Sequence, residues 1–586
     1  MPRGKLGPLE STTMSVLLRV LVAGLLVLGT GLCLILATHR LPINADEAAV
    51  IDRALRLFAD GPNPKWFFYP SLHLYAVALA EGVLYLVRWM AALSPTPESF
   101  AEWYFNGPGT VYMVARFLSV CAGVGTLAVV YNLGIRLASR KAGLLAAAFL
   151  AVSPMHIYYS ATAKPDAAMV LAMYTAGLFA VRFIQEEGKG LPWGVAVMGG
   201  LGATLKYPGG AAWFAAPAAM LLKPASAHRG VLVLCGQVAV LAAAAATVFV
   251  AGTPFAVVEP ALLRRDLAMH WQNAVQGLPS AEGLTAWRLY LVDVLPSSLS
   301  FPIIGLAVWG IIVLLRRDWR SAVAALIPAA VYAVPILAAA PMQYGFVTPL
   351  LPAVCLCAGA GLEAGMGAVQ QRISFAPALT SAAVLLCVFS PVERAVCSQI
   401  RAFNPTAQEQ AAHWIQRHLP PDARILGTAI GMTLPLTTER LTELLAEATE
   451  ERPGGGMLIR HLQRTTPRGT GYYFYDMAAY QRVSGRVELP VVEYNPEWIV
   501  AHGFQYIVDS EVKMGRFFRA PERYPLPFRF QQWLEDNGEL VFTTHPGSRG
   551  FPDWKENPAR IRALEPRCGF EGGELRIYRI KEGAVG

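Results

Sequence analysis

The stretch Leu41-Pro-Ile-Asn-Ala-Asp-Glu-Ala-Ala-Val50 follows directly on an apolar run from Met14 to Thr38. That run exceeds the ~20 residues needed to cross a bilayer. The carboxylates of Asp46 and Glu47 therefore fall at its far mouth, at the membrane–water boundary. Charge at that depth is costly, and where it persists it usually marks a site. A second acid, Asp166, closes Ser153-Pro-Met-His-Ile-Tyr-Tyr-Ser-Ala-Thr-Ala-Lys-Pro-Asp166 and also lies between two apolar runs. The alternative is that these acids are helix N-caps or solvated loop charges. Topology favours the first reading.

The 586 residues are 54% hydrophobic and only 15% charged, against about 25% charged for a soluble protein. The deficit lies in residues 14 to about 392, a succession of apolar runs. We therefore expect a polytopic membrane domain over 1–392 and a water-soluble domain over 393–586. The net charge of +8 is no nucleic-acid signal, because its basic residues form short clusters between apolar runs, as cytoplasmic loops do. No small-residue cleavage site follows Met14–Thr38, so that run reads as a retained anchor. Six cysteines, Cys33, Cys121, Cys235, Cys355, Cys357 and Cys387, lie in apolar runs as inert small side chains. Cys397 and Cys568 lie in the soluble part and would be free to pair if it is outside the cytoplasm.

Placing the basic clusters on one side fixes the path. Arg3 and Lys5 put the N-terminus inside. Residues 39–110 form a long outer loop whose apolar insert, Tyr69–Val87, carries His73 and Glu81. Were the insert to cross, every later basic loop would fall outside, so it reads as an interfacial amphipathic helix. Val111–Ile135, Ala142–His156, Ala167–Phe183, Leu191–Leu205, Tyr207–Leu222, Val231–Thr253, Ser297–Leu315, Ala322–Ala340, Gly345–Leu362 and Phe375–Ser390 then complete about eleven spans. Asp46-Glu47, Asp166 and Lys206 meet on the outer face. In the soluble part, 404–421 and 437–452 read as helices, while 424–430, 506–510 and 575–580 read as strands, an α/β alternation. The run Pro453-Gly-Gly-Gly456 shows no phosphate-binding fingerprint.

Carboxylates at an outer mouth suit activation of a hydroxyl or amine nucleophile, since a general base has only to reach the proton it takes. Asp46 or Glu47 would be that base, with Asp166 orienting the acceptor. Cations beside them would hold a phosphate leaving group; Lys206, Arg116 and Lys164 are the candidates. Each has a plainer role open to it: Lys206 snorkelling to the interface, Arg116 pairing with an acid, Lys164 as a solvated loop charge. His73 is either interfacial packing or a substrate contact. Trp66, Phe67, Phe68 and Tyr69 read as an interfacial aromatic belt or a lipid contact. Arg264, Arg265, His270 and Trp271 of the second outer loop are surface residues or ligand contacts.

Several short motifs appear in a telling order: Ala45-Asp-Glu-Ala48, Phe68-Tyr-Pro-Ser-Leu-His-Leu-Tyr75, Ala115-Arg116, Ser153-Pro with Tyr158-Tyr-Ser and Pro165-Asp166, Lys206-Tyr207, and Tyr344-Gly-Phe-Val-Thr-Pro-Leu-Leu-Pro352. Together they resemble the GT-C superfamily of polyprenyl-phosphate-dependent glycosyltransferases, protein O-mannosyltransferases and lipid A aminoarabinose transferases above all, over roughly residues 14–392. The resemblance implies a GT-C-like membrane fold with interfacial helices in the first outer loop. It implies inverting transfer of a sugar from a lipid-linked phosphate, with Asp46 (and Glu47) as base and Asp166 as a second acid. Arg116 and Lys206 would lie near the donor phosphate. Lys164 is a further candidate for the phosphate, and Tyr69, His73 and Tyr344 are possible substrate contacts. Two positions depart from the pattern: Gln343 stands where relatives carry Arg, and Ser71 where they carry a second Pro.

The expectation is thus a bacterial inner-membrane glycosyltransferase with an extracytoplasmic C-terminal domain. Its partners would be a polyprenyl-phosphate-linked sugar, membrane lipids and an acceptor that is protein, lipid or polysaccharide. No metal ligands are assigned and no obligatory cofactor is expected, although oligosaccharyl relatives use a divalent ion. A transporter or lipid flippase would instead show pseudo-symmetric halves and interrupted helices at the midplane. A non-catalytic scaffold acting through its tail is the third reading.

Overall fold

The computed structural model describes residues 16–581 and 583, apart from 41–42, 187–189, 224–229, 277–284, 341–342, 371–375, 404, 429–431, 452–456, 468, 478–493, 511–520, 523–524 and 545–574. The expectations resting on Arg3, Lys5, Pro453–Gly456 and Cys568 fall outside these residues.

The membrane part opens with α1 (Val16–Ala37), α2 (Ala45–Asp60), α3 (Ser71–Met90), α4 (Pro97–Asn106) and α5 (Gly109–Leu137). There follow α6 (Arg140–Ala151), α7 (Pro154–Ser160), α8 (Asp166–Gln185) and α9 (Trp193–Leu205). A 3-10 segment, Tyr207–Phe214, leads into α10 (Ala215–Leu222). Next are α11 (Val231–Gly252), α12 (Phe255–Val258), α13 (Pro260–Gln276), a π turn Arg288–Val294 and α14 (Leu295–Leu299). The set closes with α15 (Phe301–Ala338), a 3-10 turn Tyr344–Leu350, α16 (Leu351–Gln370) and α17 (Ala376–Ala402).

Among the described residues, eight helices are long and apolar enough to cross a membrane, nine if α6 and α7 count as one span bent by 71°. The shortfall from eleven has local causes. α15 covers two expected spans and breaks between them at Asp318, whose φ −153°, ψ 85° is not helical. α9 is only 13 residues long, and Tyr207–Phe214 winds as 3-10 rather than α. The bend between α6 and α7 falls at Pro154, which has no N–H to continue a helix. One expectation shifts more: by length and composition α3 qualifies as a span, where the sequence pointed to an interfacial helix.

The basic loops meet at one end of the bundle. Arg136 bonds Glu186 at 3.3 Å, and Gln185 reaches Ser321 at 3.4 Å. Lys223 Nζ donates to the carbonyls of Phe183 at 2.7 Å and Glu186 at 2.9 Å, satisfying the open end of α8. α15 and α16 pack at backbone contact because Gly310 faces the Cys357 carbonyl and Gly361 the Leu306 carbonyl, where a Cβ would collide.

α17 runs on to Ala402, past the expected domain border at 392. The tail holds α18 (Ala407–His418), α19 (Thr438–Glu451), α20 (Met457–Thr465), helices Pro496–Ala501 and Pro525–Asn537, and five strands. These are β1 (Arg424–Gly427), β2 (Tyr473–Asp476), β3 (Tyr506–Ser510), β4 (Gly538–Thr543) and β5 (Leu575–Ile580), in sheet order β2-β1-β3-β5-β4. The first three are parallel, with Ile425 opposite Tyr506, and the last two antiparallel, with Val508 opposite Ile577. Alternation splits the core: Ile425, Val508 and Ile577 pack on one face, Leu426, Ile507 and Tyr578 on the other. β2 and β4 were not expected from sequence. The tail touches the membrane part through α20, where His461 bonds Asn106 at 3.2 Å beside Phe105 of α4.

Candidate active site

The site is built around the first turn of α2. Asn44 caps it, its Oδ1 accepting from the Asp46 N–H at 2.9 Å, while Glu47 Oε2 reaches back to the N–H groups of Ile43 (2.7 Å) and Asn44 (3.2 Å), completing a capping box. Glu47 does more. Its two oxygens take Arg116 Nε and Nη2, both at 2.9 Å, and Oε1 also takes the Ala163 N–H at 2.7 Å. Arg116 further donates to the carbonyls of Ala37 and His39. Both side chains are 0% exposed. This bidentate pair ties the end of α1, the start of α2, α5 and the 161–165 turn to one point.

Successive residues on a helix diverge by about 100°, so Asp46 faces away from that knot. Its Oδ2 accepts from Lys164 Nζ at 2.7 Å and from Tyr69 Oη at 3.1 Å. Lys164 is 1% exposed, whereas the Asp46 side chain is 34% exposed, which makes it the open carboxylate of the group. Burial pulls the Asp46 carboxyl up, but the Lys164 charge and hydrogen bond, helped by Tyr69, outweigh it and hold it below the usual carboxylate range. Asp166 opens α8 and accepts Lys206 Nζ at 2.7 Å through Oδ1. Lys206 lies 5.7 Å from the Tyr69 ring and 5.8 Å from the Phe346 ring. Lys164 lies 5.7 Å from the Tyr159 ring.

Tyr69 is set in place by a strap. The Phe67 N–H donates to Asp266 Oδ2 at 2.7 Å, Tyr207 Oη donates to the Phe67 carbonyl at 2.7 Å, and His270 Nε2 sits 2.6 Å from the Phe68 carbonyl with its ring stacked on Phe68. α13, in the second outer loop, therefore clamps the first.

Asp46, Asp166, Lys164, Lys206, Tyr69 and His73 thus converge, and Tyr344 opens the 3-10 turn that brings Phe346 to Lys206. Four expectations need correction. Arg116 has no exposed surface to offer a phosphate, and its fork is occupied by Glu47. Glu47 is likewise closed off, every lone-pair direction being used in that knot, so it does not share the role of base. Phe67 and Tyr69 are buried rather than belted at an interface. Lys164 is buried and paired instead of a solvated loop charge. The sequence gives no role to Asp266, Tyr207 or Tyr159, although Tyr159 and Tyr207 both lie inside quoted motifs. The donor set does not fit a divalent ion, because Asp46 and Asp166 each already hold an ammonium at 2.7 Å.

A bundle with bent and broken spans and a helical first outer loop has a GT-C-like fold. A family model described as dolichyl-phosphate-mannose-protein mannosyltransferase matches residues 108–255, the stretch from α5 to the start of α12. Of solved structures, ArnT from Cupriavidus metallidurans bound to undecaprenyl phosphate aligns at a TM-score of 0.50 and 11% identity, covering 97% of this chain and 99% of that one. The Archaeoglobus fulgidus oligosaccharyltransferase in its apo form aligns at 0.46 and 12% identity, covering 90% and 74%. AglB from the same organism, in complex with an inhibitory peptide and a dolichol-phosphate, aligns at 0.45 and 12%, covering 93% and 75%. No curated protein sequence matches the chain.

Proposed function

We propose that the protein moves a sugar from a polyprenyl-phosphate donor to an extracytoplasmic acceptor, with inversion, and that Asp46 is the general base. The observation that carries this reading is one partly exposed carboxylate, Asp46, held by Lys164 beside the Asp166–Lys206 pair. The acceptor hydroxyl oxygen attacks the anomeric carbon, its proton passes to Asp46, and the anomeric C–O bond to phosphate breaks on the opposite face. Lys206 and Lys164 meet the negative charge that collects on the departing polyprenyl phosphate. Asp166 holds Lys206 and faces the sugar, with Tyr69 steadying Asp46. Tyr344 and His73 line the substrate. Glu47 and Arg116 fix the frame.

Asp46, Asp166, Lys164 and Lys206 sum to zero, so a phosphate that shares the lysines weakens their hold on the carboxylates. Asp46 then becomes more basic when the donor arrives, which suits a group that must take a proton. The same geometry supports a membrane catalytic part over 1–392 and a tail over 393–586 on its outer side, since α20 rests on α4 near the site and the basic loops gather at the other end. On this reading it is a multi-pass protein of a bacterial inner membrane. The test is transfer of labelled sugar from a polyprenyl-phosphate donor by Asp46→Asn protein. Loss of transfer with donor binding kept supports the assignment; unchanged transfer rejects Asp46 as base.

A further inference from the structure

Beyond the reacting pair, two buried polar atoms of the site have no partner: Asp166 Oδ2 and His73 Nε2. Asp166 is 4% exposed and His73 3%. Leaving a buried polar atom unbonded costs about 1–3 kcal/mol, so such atoms are retained where something else satisfies them. They flank one short turn. His73 hydrogen-bonds the backbone of Ala163 and lies within electrostatic reach of Asp166. The Ala163 N–H is meanwhile held by Glu47 at 2.7 Å, and the Lys164 carbonyl by Ser119 Oγ at 3.1 Å. The turn is fixed from three sides, so neither orphan is an accident of a loose segment.

The polarity of both atoms is set. Asp166 Oδ1 is engaged by Lys206, so Oδ2 is the free lone-pair acceptor. An imidazole that donates its Nδ1–H to a carbonyl has Nε2 as an acceptor. The site thus presents two acceptors, a carboxylate oxygen and an imidazole nitrogen, beside the lysines that suit a phosphate. A phosphate oxygen cannot fill them, because it carries no hydrogen to give. A sugar hydroxyl can.

We infer that His73 Nε2 and Asp166 Oδ2 form the subsite that reads the transferred sugar, accepting hydrogen bonds from two of its free hydroxyl groups. This rests on the donor reading above and adds to it. The substrate is a glycosyl residue with two unsubstituted hydroxyls on the face turned toward α3, and blocking either one by acylation or methylation removes it as a substrate. His73 is here a specificity-determining contact, and the phosphate lies elsewhere, on the lysines.

The test compares two lipids, polyprenyl phosphate and polyprenyl-phosphate mannose, bound to full-length protein in detergent. Wild type is measured against His73→Phe, which deletes the acceptor, and His73→Gln, which supplies a carbonyl acceptor. We expect His73→Phe to weaken binding of the sugar-bearing lipid about tenfold, the worth of one hydrogen bond. Binding of the bare phosphate lipid should stay within twofold, and His73→Gln should recover most of the loss. Replacing the contacted hydroxyl by fluorine, which cannot donate, should make the sugar lipid insensitive to His73→Phe. Equal weakening of both lipids, or no change in either, overturns the subsite while leaving the donor reading intact. Failure of wild-type protein to bind either lipid overturns both. Thermal unfolding of the variants identifies any that lose binding by misfolding, and the fluorinated donor on wild type then decides: affinity equal to that of the parent sugar overturns the subsite.

Discussion

Two neighbouring carboxylates, Asp46 and Glu47, should fail in opposite ways. Glu47 accepts two hydrogen bonds from Arg116 and one each from the N–H groups of Ile43, Asn44 and Ala163, with no exposed surface on either charged partner. Replacing it by Gln leaves the Arg116 charge buried without its counter-ion, a change that costs about 3–5 kcal/mol. Against a total stability of about 5–15 kcal/mol, that is a large fraction, and it should lower the unfolding temperature in detergent by roughly 10 °C. Asp46→Asn keeps an acceptor for Lys164 and Tyr69, and the side chain it replaces is one-third exposed, so its cost should be the smaller of the two. Transfer, however, should fall by orders of magnitude in Asp46→Asn. The double variant Glu47→Gln, Arg116→Gln should regain part of the lost stability, because the orphaned charge is gone. Melting curves by size exclusion, with transfer measured at a temperature where all variants are folded, give both axes. Glu47→Gln protein that melts within 2 °C of wild type but has lost transfer would refute the division of labour.

Other expectations follow from the same contacts. Because Lys164 outweighs burial and holds Asp46 below the usual carboxylate range, the acid limb of kcat/KM should lie below that range as well. Lys164→Met removes the cation and leaves burial, so that limb should move upward; a limb that stays put removes Lys164 as the cause. In the tail, burial raises Asp509 to about 6 from 3.8, against hydrogen bonds from Gln531 and Thr428. A raised carboxyl binds its proton more tightly when folded, so its contribution is full below pH 4 and is lost as pH rises through about 6, some 3 kcal/mol in all. Hydrogen exchange of β3 should accelerate across that window in wild type and not in Asp509→Asn. For orientation, a cysteine placed at exposed Glu98 of α4 should react with a membrane-impermeant reagent from outside intact cells, and one at exposed Arg317 should not. The reverse pattern would invert the topology.

The bundle was legible because the apolar runs are long and the basic clusters short. The break of α15 at Asp318 falls in the basic cluster Arg316–Arg320, where the sequence separates two spans. Hydropathy reads length, but a helix is a hydrogen-bonded object, and Tyr207–Phe214 winds as 3-10 within a run of ordinary composition. α3 satisfies the length and composition of a span, where the sequence points to an interfacial helix. Its charge-bearing residues, His73 and Glu81, argued for the interface, yet both are turned inward and buried, with lipid-type side chains such as Leu79, Val83 and Leu86 outside. Composition cannot distinguish a helix that faces water from one that hides its polar residues against a protein neighbour. In the tail, β2 and β4 were missed because each is short and gains its place from partners far along the chain.

For the site, the residue types were legible and the pairing was not. Four of the expected ionisable groups do meet, since acids and lysines at membrane depth have few reasons to be there other than one another. What sequence could not assign is which acid is open. Asp46 and Glu47 are adjacent, equal in charge and both within reach of cations. The difference is a matter of helix phase: Glu47 stands at the third position of α2, where a carboxylate reaches back to the N-cap, and Asp46 does not. The capping box signature, Asn44 followed by Glu47 three residues on, was present in the sequence. Had it been weighed, it would have claimed Glu47 for structure and left Asp46 alone to face the cavity. Arg116 then follows, because a buried capping carboxylate with spare lone pairs needs a donor with a fork. The chemistry is therefore confined to the one acid that the helix does not need.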